Sequence, residues 1–516
     1  MAFLIILTSI LVIALSYYLV AWTYWKRRGI PGPIGFPILG SVLDMTNYYY
    51  PPFLKLRDWA KKYGPYYGIS EGLSTTLILS DVDMVNEVFL KQFDNFYGRK
   101  LNGIMGDPNK DKRVNLFAAE GYRWKRLRNL SSPTFSNNSL KKIKETVEDS
   151  VMELLKHIEK NTANGQEIDM LEYYQEFTMD VICRIAMGQH ETQMFNNPLL
   201  EPVKAIFGSA RQWLVISGII LPKWAAYLLR KIIFSTPAAM QTPVVRIHSM
   251  IDVALNKRIA QRAADAKKGI EPGEPSDFID LFLDAEADID VSAESNNDFT
   301  KTNVKVSRSL TVDEIVGQCF VFLLAGFDTT ALSLSYTTYL LARHPDIMRK
   351  VQKEIEEECP DPNITFEQLS NLKYMDNVIK ETLRLYPLGS VANTRRCMKT
   401  TKIGDLLIEE GTNIQVDTWT LHYDKKLWGE DAEVFRPERW DEPGVTDFKS
   451  GYMPFGLGPR QCIGMRLAYM EEKLLLSQIL RNYDFVTGEK TQIPLNLIGR
   501  ATTQPEHVFL HLKPRY

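Results

Sequence analysis

Pro454-Phe-Gly-Leu-Gly-Pro-Arg-Gln-Cys-Ile-Gly464 is the stretch on which the reading of this chain turns. A helix-periodic run follows it, over residues 463–482, so Cys462 stands immediately before a helix. The N-terminal end of a helix presents free N–H groups and a positive partial charge, and both stabilise a thiolate. Taken alone, Cys462 would still read as a buried structural thiol. Working outward, helical periodicity also covers 141–160, 168–187, 312–342, 346–358 and 369–385. Strand-like runs are fewer and shorter: 76–79, 406–408, 413–416 and 508–511. The expected fold is therefore mainly α with a smaller β part. Thr311-Val-Asp-Glu314 has the form of a capping box, so the helix over 312–342 has a defined start. Its stretch 319–325 is apolar nearly all round, which predicts burial. The polar, nearly aperiodic segment 284–309 reads as a surface loop.

The quoted stretch resembles the haem-binding loop of the cytochrome P450 family, whose Phe, Gly, Arg, Cys and Gly fall here on Phe455, Gly458, Arg460, Cys462 and Gly464. Five fixed positions should recur by chance in a chain of this length only about once in several thousand sequences. The resemblance implies haem b with Cys462 as the axial ligand to its iron. Phe455, Arg460 and Gly464 would lie against the cofactor, Arg460 on a propionate. Gly458 and Gly464 lack a Cβ, which would let backbone approach the sulfur and the macrocycle.

Three further segments match in the family's order. Glu381-Thr-Leu-Arg384 resembles its Glu-x-x-Arg signature, and Arg439, within Phe435-Arg-Pro-Glu-Arg-Trp440, would lock to that pair, with Trp440 where the family has Phe. These three residues should be structural. Trp124 and Arg128 resemble a Trp-x-x-x-Arg pattern, and the spacing puts both on one helix face toward a propionate. Ala325-Gly-Phe-Asp-Thr-Thr330 resembles the oxygen-side motif. Thr329 can bond the carbonyl of Ala325, loosening the helix beside the glycine Gly326, and Thr329 with Asp328 would form a proton path. Arg395 is a further propionate candidate by resemblance. The substrate pocket implied by the family lies along 101–117, 322–329, 388–393 and 501–503, whose apolar and small residues suit a lipophilic ligand.

Residues 2–25 carry no charge, and as a helix they would reach about 36 Å, enough to span a membrane. Tyr17, Tyr18, Trp22, Tyr24 and Trp25 cluster at the far end and Lys26-Arg-Arg28 follow, which places the rest of the chain in the cytosol. The expected organisation is an anchor (1–25), a basic, Pro/Gly-rich linker (26–40) and one catalytic domain (41–516), at the endoplasmic reticulum by resemblance. Asn129, Asn137 and Asn363 head glycosylation-type triplets that this topology would leave unmodified. A second apolar region, 213–234, reads either as core helix or as a monotopic membrane contact.

Across all 516 residues the net charge is −2, with no useful basic tract, which argues against a nucleic-acid partner. Five scattered cysteines do not form a disulfide framework. No nucleotide-binding glycine fingerprint occurs. By resemblance, NADPH would act through a separate flavin reductase, NADPH-cytochrome P450 reductase, with cytochrome b5 as a further donor; Arg123, Lys125 and Arg126 are candidate contacts for an acidic partner. The function implied is insertion of one atom of O2 into a lipophilic molecule. A peroxide-rearranging isomerase or lyase and a non-enzymatic haem sensor are the alternatives.

Overall fold

The computed structural model describes the chain except residues 163–164, 209–211, 237–238, 240, 272–274, 276, 286–308, 390–391 and 445–450. The polar segment 284–309, and two residues of the pocket segment 388–393, thus fall largely or partly outside the described residues.

Six helices position the site: α1 (Ala2–Trp22), α2 (Gly121–Ser131), α3 (Met170–Met187), α4 (Val312–Arg343), α5 (Lys373–Leu385) and α6 (Met465–Asn482). The centre of the body is α4, which packs along α3 and is crossed by α5 and α6. Its start is the expected capping box. The Glu314 N–H donates to Thr311 Oγ1 at 3.2 Å, and the Thr311 N–H donates to Glu314 Oε2 at 3.1 Å. Close packing along α4 depends on two glycines. A Cβ on Gly317 would meet the Arg113 carbonyl oxygen at 2.6 Å, and one on Gly326 would meet Ile182 Cδ1 of α3 at 2.9 Å. Gly326 thus serves the α3–α4 contact.

The β part is small. Strands β1 (Tyr66–Glu71) and β2 (Ser74–Leu79) form an antiparallel hairpin. β3 (Ile168–Asp169) is a short edge strand, and β4 (Thr394–Arg396) precedes the hairpin of β5 (Thr401–Ile403) and β6 (Leu406–Ile408). β7 (Asn413–Val416) runs parallel to β2 and antiparallel to β4, which completes a four-stranded sheet in the order β1-β2-β7-β4. At the C-terminus lie β8 (Tyr483–Val486), β9 (Leu497–Ile498), β10 (Gln504–Pro505) and β11 (Phe509–Pro514). β9 pairs with β10, and β11 lies between β3 and β8.

Several boundaries differ from expectation for identifiable reasons. Residues 168–169 are strand, and Asp169 caps α3 by accepting from the Leu171 N–H at 3.2 Å. The run 369–385 is broken at Leu372, because Thr365 and Gln368 form their own capping box for a short helix, Phe366–Asn371. The helix after Cys462 begins at Met465, two residues later than the periodicity implied.

The N-terminal apolar helix ends at Trp22, and its most apolar window is not buried at all. Trp25 belongs to the body instead: it is buried, donates from Nε1 to the Ile69 carbonyl at 2.9 Å, and fills the space above Gly68. The Pro/Gly segment beyond it lies against β1, where the Gly68 N–H donates to the Pro31 carbonyl at 2.8 Å. The core-helix reading of 213–234 is corrected. Helices Gln212–Ile220 and Lys223–Phe234 bury only Gly218 and Ala226 among their described residues, and Trp213 and Trp224 are 58% and 73% exposed. The Tyr18 hydroxyl of α1 donates to the Ile220 carbonyl at 2.8 Å, so this apolar surface adjoins α1.

Candidate functional site

Cys462 lies between the loop and α6. Its backbone N–H donates to the Phe455 carbonyl at 2.8 Å, which closes the loop, and the Phe455 ring sits 5.6 Å from that of Tyr469. The side chain keeps accessible surface, yet burial pushes its thiol up. Both hold together when that surface faces an interior space and not bulk water. Against burial act hydrogen bonds from the Gly464 and Met465 N–H groups at the start of α6, and the charges of Arg128 and Arg99. The expected helix-terminal support for a thiolate is therefore present, two residues displaced. The glycines are explained less by the sulfur. A Cβ on Gly458 (φ +73°) would meet the Phe89 carbonyl oxygen at 2.3 Å, whereas at Gly464 the nearest neighbour is Phe135 Cε1 at an ordinary 3.6 Å.

Beside Cys462 the structure gathers more positive charge than it balances. Arg460 is buried; it donates to the Ala119 carbonyl at 2.5 Å and stacks 4.7 Å over the ring of Trp124, four residues before Arg128 on α2. Arg395, in β4, is buried 4.1 Å over the Phe89 ring. Arg99 donates to the Ala392 carbonyl and lies 4.5 Å over Phe117. Burial and mutual repulsion lower the guanidinium pKa of Arg395 and Arg460 far below the usual range and that of Arg99 to about 10. The carboxylate acting on this cluster is Glu120, itself pushed up by burial. The Nε atoms of Arg99, Arg395 and Arg460 are buried without a hydrogen-bond partner among the described residues. Arg99 carries no signal in the sequence: it is one basic residue in a mixed loop, with no spacing relation to the others.

On the opposite element, α4, the Thr329 hydroxyl donates to the Ala325 carbonyl at 2.7 Å, as expected. Ala325 is exposed and Thr329 half-buried, although the helix is buried on either side of them. This departs from the expected burial over 319–325 and marks a window in the helix wall. Thr178 of α3 donates to the nearby Phe327 carbonyl at 2.7 Å, so two ladder acceptors two residues apart are shared with side chains. Phe135 links this wall to the cysteine loop: its ring is 5.3 Å from that of Phe322, and its edge faces Gly464. Asp328 points the other way and is buried. It accepts from the Thr502 hydroxyl at 2.6 Å, and burial raises its carboxyl to about 6.

A cytochrome P450 sequence profile matches residues 30–512. Proteins of Caenorhabditis elegans named as cytochromes P450 are similar over nearly their whole length. CYP13A10 is 59% identical over 504 residues, covering 97% of each chain, and CYP13A1 is 57% identical over 511 residues, covering 98% of each. This chain belongs to the cytochrome P450 family. P450 membership implies a haem iron held by a cysteine thiolate and an oxidoreductase that acts with oxygen. The residues present fit such a group. A buried guanidinium cluster with, among the described residues, one carboxylate and three unpartnered Nε atoms suits the two propionates of a haem, and the thiol supported by backbone N–H groups suits its iron.

Behind this site, the P450 has the ion-pair knot the sequence implied. Glu381 and Arg384 are fully buried on α5 and pair in bidentate fashion, Nε–Oε2 at 3.0 Å and Nη2–Oε1 at 2.8 Å. Arg439 reaches Glu381 Oε1 at 3.3 Å, and Trp440 donates from Nε1 to Oε2 at 3.1 Å. The latter bond needs the indole that stands here in place of phenylalanine. His422 then joins the knot to the cysteine loop. Its Nε2 accepts from the Met453 N–H at 3.0 Å, which leaves Nδ1 protonated toward the Arg384 carbonyl, also at 3.0 Å.

The reading of Arg123 and Arg126 as surface charges for a partner is overturned. Both are buried. Arg126 pairs with Glu314 at 3.0 Å, and Arg123 donates to the Pro108, Asp111 and Lys112 carbonyls. Of the three, only Lys125 is exposed.

Proposed function

We propose that this P450 is a monooxygenase that inserts one oxygen atom of O2 into a lipophilic small molecule, with NADPH electrons passed through a separate flavin reductase. Cys462 would ligate the iron. Trp124, Arg128 and Arg460, joined by Arg99 and Arg395, would hold the propionates, and Ala325, Gly326, Phe455 and Gly464 would border the cofactor. When bound, a thiolate-ligated haem supplies the electron donation that favours cleavage of the O–O bond. The chain's own residues do the rest. Thr329, whose hydroxyl donates to the Ala325 carbonyl, lies at the window in α4, and Asp328 beside it is an acid able to carry a proton near neutrality. Glu381, Arg384 and Arg439 hold the wall behind the cysteine loop and touch no reacting atom.

The observation that carries the reading is the paired opening of α4 at Ala325 and Thr329. An isomerase or lyase needs no proton delivery and gives no reason for that hydroxyl. The apolar α1, with the exposed Trp213 and Trp224 beside it, supports an anchor in the endoplasmic reticulum membrane and a cytosolic body resting on the bilayer. The expected division at residue 25 then moves to Trp22, with one catalytic body beyond the linker. The test has two parts. The reduced protein with carbon monoxide should show the far-red Soret band of thiolate ligation, lost in Cys462→Ala. NADPH-dependent oxygen consumption should appear on adding a flavin reductase; a thiolate band without that consumption would favour the isomerase or a haem sensor.

A further inference from the structure

We propose that Arg500, on the turn between β9 and β10, is the specificity-determining residue that receives the acid group of the substrate, and that the substrate class is lipophilic carboxylic acids. The inference rests on the monooxygenase reading above and names the substrate class which that reading leaves open. The turn is tight: a Cβ on Gly499 (φ +108°) would meet the Thr502 carbonyl oxygen at 2.3 Å. It is also fixed from several sides. The Gly499 N–H donates to the Tyr48 carbonyl at 2.7 Å, the Thr502 hydroxyl to Asp328 Oδ2 of α4 at 2.6 Å, and the Thr503 N–H to the Leu388 carbonyl at 3.1 Å. The turn therefore lies against α4 beside Thr329, with Ala501 exposed between the buried Gly499 and Thr502. Arg500 is half-buried there and reaches the end of helix Leu200–Phe207, where its Nη2 donates to the Gly208 carbonyl at 3.1 Å.

What this guanidinium lacks is a counter-charge. Its Nε is buried without a hydrogen-bond partner among the described residues, burial lowers its pKa, and the group that acts against burial is the Tyr48 hydroxyl, not a carboxylate. Asp328 is bonded instead by Thr502 and Gln175. The other arginines with an unpartnered Nε have their charge placed elsewhere. Arg99, Arg395 and Arg460 belong to the propionate cluster, none of whose charges acts on Arg500; Arg184 pairs with Asp149 at 2.7 Å, and Arg481 donates to the Cys359, Pro360 and Asp361 carbonyls. The chain beyond Arg500's one acceptor deepens the asymmetry. Residues 202–251 contain no Asp or Glu, against Lys204, Arg211, Lys223, Arg230, Lys231 and Arg246, and such a field draws anions. A cation withdrawn from water costs stability unless a partner compensates it, and here the protein supplies none. The planar fork of a guanidinium matches a carboxylate through two parallel bonds. Apolar side chains adjoin it: Phe207, whose ring is 6.4 Å from that of Phe327, and the buried Leu388. The ligand that fits is an acid with a hydrocarbon body. Held at the turn by its carboxylate, it would extend toward the window at Ala325 and Thr329, so oxidation falls several methylenes away from the acid.

The experiment measures dissociation constants by calorimetry on the holoenzyme in neutral detergent, with dodecanoic acid, its methyl ester and dodecanol as ligands. In the parent the acid should bind about tenfold or more tighter than either neutral analogue. Arg500→Gln should weaken the acid by about tenfold or more and leave the ester unmoved, and Arg500→Lys, which keeps the charge without the fork, should fall between. A parent without preference for the acid overturns the proposal before any variant is made. So does an Arg500→Gln protein that loses acid and ester equally, because the residue then acts on the fold and not on the anion. Sedimentation with phosphatidylserine vesicles should be the same in parent and Arg500→Gln; a loss there with the acid preference intact assigns the anion to a lipid headgroup and overturns the substrate reading. Absence of NADPH-dependent oxygen uptake would count against the monooxygenase reading and leave these binding constants untouched.

Discussion

Glu381→Gln should be among the most damaging single-atom exchanges this protein can suffer. Glu381 is fully buried and accepts from Arg384 twice, from Arg439 and Trp440 once each, and from the Arg436 N–H at 3.2 Å. The amide keeps the shape and removes the charge, leaving Arg384 buried with carbonyl partners only, whereas Arg439 retains Asp431 at 3.0 Å. Breaking one partner of a buried pair costs about 3–5 kcal/mol. With an unfolding entropy of about 2.1 cal/mol/K per residue, a body of roughly 490 residues gains or loses about 1 kcal/mol per degree at its midpoint. The expected shift is thus a fall of about 3–5 °C in Tm by calorimetry. The matched control is Arg57→Ala, which removes a pair with Glu433 at 3.4 Å and a cation–π contact at 4.3 Å over Tyr423 and should cost about 1–2 kcal/mol. A Glu381→Gln protein that melts together with the Arg57→Ala control would refute the assignment of the knot as structural.

Thr329→Ala should keep the haem but divert electrons to hydrogen peroxide, so product per NADPH consumed falls; equal ratios in mutant and parent would remove the proton-path role. His422 is held neutral, its pKa lowered from 6.5 to about 3 by burial and then by the charge of Arg384. A depressed folded pKa means the stabilisation is complete above the unfolded value and is lost as pH falls from about 6.5 toward 3. Urea midpoints should therefore drop between pH 7 and 5 more steeply in the parent than in His422→Gln, and parallel curves would contradict the buried neutral histidine. Replacing both Trp213 and Trp224 with serine in a chain lacking α1 should weaken sedimentation with lipid vesicles, with no change in Tm because neither ring packs in the core.

What the sequence made legible was what depends on neighbours along the chain. The capping box at Thr311, the Thr329–Ala325 bond and the Glu381–Arg384 pair are all separated by three or four residues, so helical spacing alone brings them together. What depends on chain crossings was legible only where the family resemblance supplied it, as for the Arg439–Glu381 lock and the propionate candidates Arg395 and Arg460. Arg99, Arg395 and Arg460 converge from three distant segments, and only the last lies in a recognisable motif. Arg123 and Arg126 looked like a solvated basic face because their partner, Glu314, is 188 residues beyond Arg126. For the apolar helices over 213–234 hydrophobicity allowed either burial or a membrane contact, and the fold removes the first by leaving Trp213 and Trp224 uncovered.

The seating of Trp25 has a mechanical consequence. Three residues after the apolar helix ends, an indole is plugged into the sheet, its N–H spent on Ile69, and Arg28 is tied to Glu409 shortly beyond. Swivelling the globular part about the helix axis would mean extracting that ring, and vacating a buried tryptophan site costs about 3–5 kcal/mol. Thermal energy at 298 K is about 0.6 kcal/mol, so such a swing would be rare. With α1 as the proposed anchor, the body would meet a bilayer at a heading set by its own fold, and lengthening the chain between Trp22 and Trp25 should randomise that heading without altering the catalytic core.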